Sequence, residues 1–288
     1  MHKTILITGG AGFVGSHLAE VLVQQGHRVI SYDNYFTGSR NNHIPGVEYI
    51  RGDTQFLNPS ALPKPDLVYH LGEYSRVEQS FDEVQLVHDY NVKGTFKVLE
   101  AVRQWGCKIV YSGSSTKFAD DSDPSYVMSP YAWSKAKNAE LVVKYSEWFG
   151  IDFAITYFYN VYGPREIQDG NYATLIAKYA KLFQVGKKLP VVSPGIQERN
   201  FTHIDDIVSA LVLIGECGSG DGYGIGHSES YTVLDVAEMF GGEIEWLETR
   251  RGNRMVAQVV TEKTKKLGWE PKNNLRDYIN SIKQGITL

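Results

Sequence analysis

The chain has 288 residues, of which 42% are hydrophobic and 22% are charged, and its formal net charge at pH 7 is -4. This composition is typical of a globular protein, and the length suits one large domain or two closely packed ones. The weak negative charge excludes a broad basic surface for nucleic acid or an anionic membrane. We therefore expect neither as a partner, and any anionic ligand must be bound by local groups.

The two cysteines, Cys107 and Cys217, lie far apart and lack the spacing of a disulfide framework or a metal site. We expect reduced thiols in the core of a cytoplasmic protein, and no metal. The apolar run near the first residue is only as long as a strand and is interrupted by glycines, unlike a signal peptide. No stretch approaches the roughly 18 apolar residues of a membrane span.

In chain order, the first half of the sequence alternates β-rich runs with helical patterns. The β-rich runs cover residues 3–8, 27–33, 47–53, 65–72, 107–113 and 151–158, and the clearest helical patterns cover 16–26, 92–106 and 129–150. This alternation predicts an α/β fold with a doubly wound parallel sheet of the Rossmann type. Glycine and proline become more frequent after Asn160. We therefore predict a first domain over residues 1–160 and a smaller α/β lobe over 161–288, interleaved with the first.

A glycine cluster follows the first predicted strand, at Gly9, Gly10, Gly12 and Gly15. It fits a Gly-x-Gly-x-x-Gly dinucleotide fingerprint that starts at Gly10. Glycine allows a sharp turn from strand to helix and brings backbone N–H groups close to a pyrophosphate, where a Cβ atom would obstruct it. Such turns also occur for packing reasons, so the cluster alone leaves both interpretations open.

Asp33 ends the second predicted strand, where a carboxylate can accept hydrogen bonds from both hydroxyls of an adenosine ribose. The same carboxylate would repel a 2′-phosphate, which favours NAD over NADP. Asp53 follows the third predicted strand and would meet the adenine edge. A plain turn explains Asp53 nearly as well.

Tyr131 and Lys135 have the spacing Tyr-x-x-x-Lys, which a helix places one turn apart on one face. A free tyrosine, with a pKa of about 10, is a poor base near neutrality unless nearby positive charge stabilises its phenolate. Lys135 and a nicotinamide ring could supply that charge together, although two surface residues would show the same spacing. Hydroxyl-bearing residues end the preceding β-rich run, where they could bind a substrate oxygen or form a polar turn: Ser112, Ser114, Ser115 and Thr116.

In this order and spacing, the features resemble the extended short-chain dehydrogenase/reductase family, specifically its NAD-dependent sugar-nucleotide epimerase/dehydratase branch. The similar motifs run almost from end to end: TGGAGFVGSHL, YDNYFTGSRNN, VYHLGEYS, YNVKGTFKVLEA, SPYAWSKAKNAE, NVYGPRE, ERNFTHIDDIVSAL and LGWEP. The resemblance implies that Tyr131 is the acid/base, that Lys135 binds the nicotinamide ribose, and that Ser114 binds the reacting sugar oxygen. It implies NAD as the cofactor, bound by Gly9, Gly12, Phe13, Val14, Gly15, Asp33, Asn34, Gly38, Asp53, Thr54, Leu71, Gly72, Ser112, Tyr131, Lys135 and Tyr159.

The resemblance also implies a nucleotide-diphosphate sugar as the substrate, with Asn160, Arg199 and Arg250 matching positions that hold the diphosphate. Glu73 stands where the family usually has a small residue, so we expect its carboxylate to face the substrate, although a cap or surface role is comparable. Asn91 would support the active-site helix. Residues 81–105 and 129–149 would pair two subunits in a homodimer, or form intrachain core.

The leading functional hypothesis is epimerisation through a transient 4-keto sugar. Related 4,6-dehydratases carry Asp-Glu after the hydroxyl residue, whereas this chain has Ser115 and Thr116, which disfavours dehydration. A 4-dehydrogenase that releases the keto sugar is an alternative. A non-catalytic NAD-binding protein would not need Ser114, Tyr131 and Lys135 together. We interpret His203, Asp205 and Asp206 in FTHIDD as residues that form hydrogen bonds and cap a helix rather than as metal ligands.

Overall fold

The computed structural model of the protein describes residues 2–115, 129–248 and 259–286. The strands are β1 (Thr4–Thr8), β2 (Arg28–Asp33), β3 (Val47–Arg51), β4 (Leu67–His70), β5 (Lys108–Ser114), β6 (Phe153–Phe158), β7 (Val161–Tyr162), β8 (Leu189–Val192), β9 (Glu198–Asn200), β10 (Thr202–His203), β11 (Gly220–Ile225), β12 (Ser230–Thr232) and β13 (Ile244–Leu247). The helices are α1 (Phe13–Gln24), α2 (Val84–Val87), α3 (Gly94–Trp105), α4 (Pro130–Phe149), α5 (Leu175–Gln184), α6 (Ile204–Cys217), α7 (Val233–Phe240), α8 (Glu262–Lys265) and α9 (Leu275–Lys283).

Within the described residues, seven strands form one parallel sheet in the order β11-β6-β5-β4-β1-β2-β3. The predicted α/β fold with a parallel sheet is therefore confirmed. Because all seven strands run in the same direction, their carboxyl ends lie along one edge, where open α/β sheets bind their ligands. The order changes direction at β1, with β2 on one side and β4 on the other.

Alternation along the strands divides the core into two layers, because successive side chains point to opposite faces of a sheet. Ile5 and Ile7 of β1 pack with α1 and α6, whereas Leu6 packs with α3 and α4. Helices therefore cover both faces, and the apolar strands are buried on both sides.

The second half of the chain contributes to both parts of the molecule. Helix α6 packs on the large sheet, and β11 pairs with β6 at its edge. A separate core lies among α5, α7, α9 and β8, around Tyr179, Leu189, Phe240 and Ile279. The second core is thus built from residues after 160, while the chain returns to the large sheet through residues 204–225 and again at Thr264 and Trp269, before α9 closes the second core.

The prediction that both cysteines lie in the core is correct for Cys107 and wrong for Cys217. Cys107 is buried, and burial raises the pKa of its thiol to about 11. Cys217 is exposed at the last position of α6. No helix in the described part of the chain is both long and apolar enough to cross a membrane.

Candidate active site

The glycine turn between β1 and α1 has little space for side chains. Gly9 has a φ of 75°, and a Cβ atom there would lie 2.8 Å from the Gly72 Cα. A Cβ on Gly15 would lie 2.1 Å from the Gly9 carbonyl oxygen. Helix α1 begins after Gly12 without a side-chain cap, so the N–H groups of its first turn remain available for an anion. This arrangement fits a pyrophosphate.

Asp33 lies beside this turn at the end of β2. The Ala11 N–H donates to its Oδ2 at 2.9 Å, and the Tyr35 N–H donates to its Oδ1 at 2.7 Å. Burial raises the pKa of the Asp33 carboxyl, and the two backbone hydrogen bonds act against this shift. A Cβ on Gly38 would lie 2.9 Å from the Asp33 Oδ1, so glycine keeps the space beside the carboxylate open.

The other residues predicted to bind the adenosine half lie close to Asp33 in sequence or space. Asn34 donates from Nδ2 to the Asp53 Oδ2 at 2.9 Å, which joins the ends of β2 and β3. Asp53 also accepts from the Gln55 N–H at 3.0 Å, while Thr54 is buried against Gly94. The plain turn and the adenine-edge interpretation of Asp53 are thus compatible.

The ends of β1 and β4 meet at Leu71 and Gly72. The Leu71 N–H donates to the Thr8 carbonyl at 3.2 Å, and the Gly72 N–H donates to the Thr8 Oγ1 at 3.1 Å. Phe13 and Val14 begin α1 on the other side of the turn and are half-buried. These positions line the same cleft as the glycine turn.

Lys135 connects α4 to the end of β5. Its Nζ donates to the Ser112 carbonyl oxygen and to a Glu73 carboxylate oxygen, and its side chain is 4% exposed. Tyr131, one helical turn earlier, is half-buried. Ser112 and Ser114 belong to the last three residues of β5. The structure thus brings α4 and the serine-rich strand end to the same edge of the sheet as the glycine turn, with the end of β4 between them.

Glu73 does not have the predicted position. Its side chain is 2% exposed, and its carboxylate is paired with the Lys135 ammonium inside the protein. This burial does not fit direct contact between Glu73 and a substrate. Burial by itself raises the pKa of this carboxyl, but the positive charge of Lys135 and the hydrogen bonds reverse the shift, so the pKa lies below its ordinary value. The sequence could not show this, because Glu73 and Lys135 are 62 positions apart.

Asn91 has the predicted supporting role. Its Nδ2 donates to the Ser134 Oγ on α4 at 2.9 Å, and its Oδ1 accepts from the Tyr74 N–H at 2.7 Å. It lies in a π-helical turn over His88–Lys93, which leads into α3. Asn91 therefore ties α4 to the segment that follows β4.

The predicted substrate residues are only partly brought together. Asn160 is exposed, has a φ of 29°, and donates from Nδ2 to the Asn200 carbonyl at 2.9 Å, so it lies beside Arg199 on β9. Arg250 lies outside the described residues. The Tyr159 side chain is fully buried, and its hydroxyl accepts from the Val260 N–H at 3.1 Å. The predicted contact of Tyr159 with the nicotinamide would therefore have to come from its backbone.

The acidic residues after Phe201 do not cap α6 as predicted. The His203 side chain accepts from the Asp205 N–H at 3.3 Å and forms the cap. Asp206 is buried and accepts from the backbone N–H groups of Lys272 and Asn273, both at 3.0 Å. No group of three or more His, Cys, Asp or Glu residues among those described could hold a metal ion.

A contact between the lobes was not predicted. Arg76 donates from Nε to the Tyr172 carbonyl at 3.1 Å, and Gln79 donates to the Asn171 carbonyl at 2.8 Å. The Phe36 ring, two residues after Asn34, lies 5.3 Å from the Tyr172 ring. This lobe contact, formed by Phe36, Arg76, Gln79, Asn171 and Tyr172, therefore spans the cleft near the ribose-binding end. The charged segment directly after β4 is the sequence signal that could have indicated it.

Glu166 is a second residue that sequence reasoning missed. Its carboxylate accepts from the Gly163 N–H at 2.9 Å and is buried. Burial raises its pKa to about 7, and the nearby Arg76 guanidinium acts against this shift. A carboxyl group that titrates near neutrality thus lies close to the lobe contact.

Comparison with known proteins identifies the family. The model of the NAD-dependent epimerase/dehydratase family matches residues 5–226. The chain belongs to this family. Epimerases and dehydratases of nucleotide sugars are among its structural neighbours, and its members use NAD as the cofactor.

Three relatives of different activity resemble this family member over almost its whole length. UDP-glucuronic acid decarboxylase 5 of Arabidopsis thaliana is 30% identical, covering 99% of this chain and 89% of the relative. The Thermus thermophilus UDP-glucose 4-epimerase, solved with NAD, is 27% identical with a TM-score of 0.87, covering 97% and 98% of the two chains. The Bacillus cereus UDP-glucuronic acid 4-epimerase, solved with UDP-glucuronic acid and NAD, is 26% identical with a TM-score of 0.88, covering 98% and 99%.

Proposed function

We propose that this protein is a NAD-dependent 4-epimerase of nucleotide-linked sugars that acts through a transient 4-keto sugar. The observation that supports the proposal best is the hydrogen bond from Lys135 to the Ser112 carbonyl, which ties the Tyr131 helix to the end of β5, on the same edge of the sheet as the glycine turn. Bound NAD+ would accept a hydride from the sugar C4 and later return it. The chain itself has to bind the sugar, orient it and move one proton.

Tyr131 takes the proton of the sugar 4-hydroxyl, and Ser114 donates a hydrogen bond to the same oxygen. The Lys135 ammonium stabilises the phenolate form of Tyr131, which makes the phenol an effective base near neutrality. In the reverse step Tyr131 returns the proton to the carbonyl oxygen. If the sugar has turned meanwhile, the hydrogen arrives on the other face of C4 and the configuration is inverted.

Two features support epimerisation over its alternatives. Ser115 and Thr116 follow Ser114 where the related dehydratases have Asp-Glu, so the acid and base for eliminating water are missing from that position. The lobe contact joins the two sides of the cleft near Asp33, which supports retention of the cofactor through a full cycle. A 4-dehydrogenase would instead have to release or reoxidise its NADH after each oxidation.

A second candidate is a reaction on a sugar that carries a carboxylate, including decarboxylation. It is favoured by Arg76, which is half-buried and donates to the Tyr172 carbonyl and to Ser75. Among the described residues, no carboxylate forms a hydrogen bond or ion pair with Arg76. Burial lowers the pKa of its guanidinium, and the electrostatic effect of Tyr131 acts against this shift, so Arg76 lies near the proposed acid/base.

The test is incubation of the purified protein with UDP-glucose, UDP-N-acetylglucosamine and UDP-glucuronic acid, followed by mass spectrometry and NMR. Unchanged mass with inversion at C4 is the expected result. Loss of carbon dioxide would support decarboxylation, loss of water dehydration, and loss of two hydrogens net oxidation; any of these would overturn the epimerase proposal.

Tyr131→Phe should lower turnover by about a hundredfold to ten-thousandfold, because the acid/base is lost while the ring remains. Tyr145→Phe is the matched control, since Tyr145 is on the same helix and its hydroxyl donates to Glu100 at 2.8 Å, away from the site. Full activity in Tyr131→Phe would contradict the proposed mechanism.

A further inference from the structure

The ion pair of Glu73 and Lys135 is almost completely enclosed, with side-chain exposures of 2% and 4%. An unpaired ammonium in such a place would favour its neutral form, because burial disfavours charge. Glu73 supplies the opposite charge, and the Ser112 carbonyl accepts a second hydrogen bond from Lys135. The pair therefore accounts for how a charged lysine is kept at this edge of the sheet.

The second oxygen of the Glu73 carboxylate accepts hydrogen bonds from three elements, including the helix that carries Lys135. It accepts from the Thr95 hydroxyl on α3 at 2.8 Å, from the Asn138 amide on α4 at 2.8 Å, and from the Tyr111 hydroxyl on β5 at 3.2 Å. Because both oxygens are bonded, the carboxylate cannot turn towards a substrate without breaking this cluster. Its orientation is thus determined by the surrounding fold.

The other titratable groups around Lys135 do not provide a counter-charge. His70 on β4 is buried, which lowers its pKa to about 4 and keeps the imidazole neutral near pH 7. The Tyr111 ring lies 4.8 Å from the Lys135 Nζ, and burial raises the pKa of its phenol well above the ordinary value. Tyr131 lies one turn earlier on α4. Among the described residues, Glu73 is the carboxylate that pairs with Lys135.

We propose that Glu73 is a positioning residue that keeps the Lys135 ammonium charged and held at the end of β5, one helical turn from Tyr131. The inference rests on the proposed function in taking Tyr131 as the acid/base. Glu73 acts through Lys135 and does not touch the sugar. Without the carboxylate, the buried lysine loses its proton more easily, and a neutral amine does not stabilise the Tyr131 phenolate.

The decisive variant is Glu73→Gln, examined as the NAD-bound protein. We expect the acidic limb of the turnover–pH profile to move upwards by about one pH unit, with a fall of about tenfold in turnover at neutral pH. Glu73→Asp keeps the charge and should leave the limb within about half a unit. An unmoved limb in Glu73→Gln, or a move to lower pH, would overturn the proposal.

Two further comparisons separate this role from a merely structural one. In a Lys135→Met background, Glu73→Gln should add no further shift, because its effect passes through the lysine. Glu140→Gln is the matched control, since Glu140 is paired with Lys137 on the exposed side of the same helix.

Thr95→Val removes one of the hydrogen-bond donors to the Glu73 carboxylate and keeps a side chain of similar volume. It should move the acidic limb of the turnover–pH profile upwards too, but by less than Glu73→Gln does. It tests the proposal if Glu73→Gln does not fold.

A measurement without any sugar distinguishes failure of this inference from failure of the proposed function. The tyrosinate absorbance of each NAD-bound protein is titrated, and the curve of its Tyr131→Phe derivative is subtracted. Tyr131 should ionise at higher pH in Glu73→Gln than in the unchanged protein. If this shift occurs but no nucleotide sugar is epimerised, only the proposed function fails. If sugars are epimerised without the shift, the role of Glu73 is overturned.

Discussion

At the residue scale, His70 links the glycine turn to the cluster around Glu73. The His70 Nδ1 lies 2.6 Å from the Thr8 Oγ1, and its Nε2 lies 2.9 Å from the Thr95 Oγ1, which in turn donates to Glu73. The imidazole is fully buried, and this burial lowers its pKa to about 4. The folded protein therefore holds His70 neutral over a pH range in which the unfolded chain protonates it.

This difference predicts a loss of stability in mild acid. The folded pKa of His70 is depressed, so the unfolded state binds more protons as the pH falls from about 6.5 towards 4, and the free energy of unfolding decreases. The full contribution is about 3 kcal/mol. Urea unfolding at several pH values should show a shallower acid dependence in His70→Asn. The difference between the two proteins removes the effect of other groups such as Glu166, and equal slopes would contradict the assignment.

At the element scale, α4 carries much of the site on one face. Tyr131, Lys135 and Asn138 follow one another at helical spacing, and the last two are tied to Glu73. Ser129 caps the start of the helix, with its side chain accepting from the Ala132 N–H at 3.1 Å, and Gly150 follows its last residue with a φ of 68°. Because Tyr131 is the second residue of the helix, this cap also helps to fix the position of the Tyr131 side chain.

Loss of the cap should therefore affect both stability and activity. Ser129→Ala should lower the free energy of unfolding by about 1 kcal/mol, because an N–H of the first turn loses its acceptor. Urea unfolding and turnover measured on the same preparation test this, with Ser129→Thr as the control that keeps the hydroxyl. Equal stability of the alanine and threonine variants would show that the cap does not stabilise α4.

At the scale of the whole molecule, large apolar side chains are exposed on the two segments predicted to pair subunits. They are Phe81, Val84 and Phe96 in the first segment and Trp133, Trp148 and Phe149 in the second, each between 44% and 59% exposed. A shallow cavity between these segments is lined by Val84, Val87, His88, Val92, Ser129, Pro130, Trp133 and Ser134. Large exposed apolar side chains concentrated on two neighbouring segments are typical of an interface. The homodimer thus remains a prediction, with α2 to α4 as its surface.

Trp133→Asp should convert the predicted dimer to a monomer, because a carboxylate at the centre of an apolar interface would be buried without a partner. Sedimentation over a range of protein concentrations measures this directly. Trp246→Asp is the control: Trp246 is similarly exposed, at 54%, but lies on β13 in the second lobe. A monomer before substitution, or an unchanged dimer after it, would contradict the prediction.

The sequence by itself determined the features that depend on near neighbours along the chain. Apolar runs and helical spacing predicted α4 and six of the seven strands of the sheet, all except β11, and the glycine cluster predicted the turn between β1 and α1. These patterns are local, because side chains point to the same face at every second residue of a strand and at about every turn of a helix. The family motifs predicted that these elements form one NAD-dependent site.

Only the tertiary structure decided which distant side chains meet. Sequence reasoning directed Glu73 to the substrate, whereas the fold places it below Lys135, because β4 and β5 are neighbours and α4 packs over their ends. Pairing of β11 with β6 likewise returns the second half of the chain to the first sheet. Such contacts depend on how helices and strands pack, and no spacing along the sequence encodes them. The roles of Tyr131 and Lys135 could therefore be predicted from the sequence. The groups that hold Lys135, Glu73 and the Ser112 carbonyl, became visible only in the folded chain.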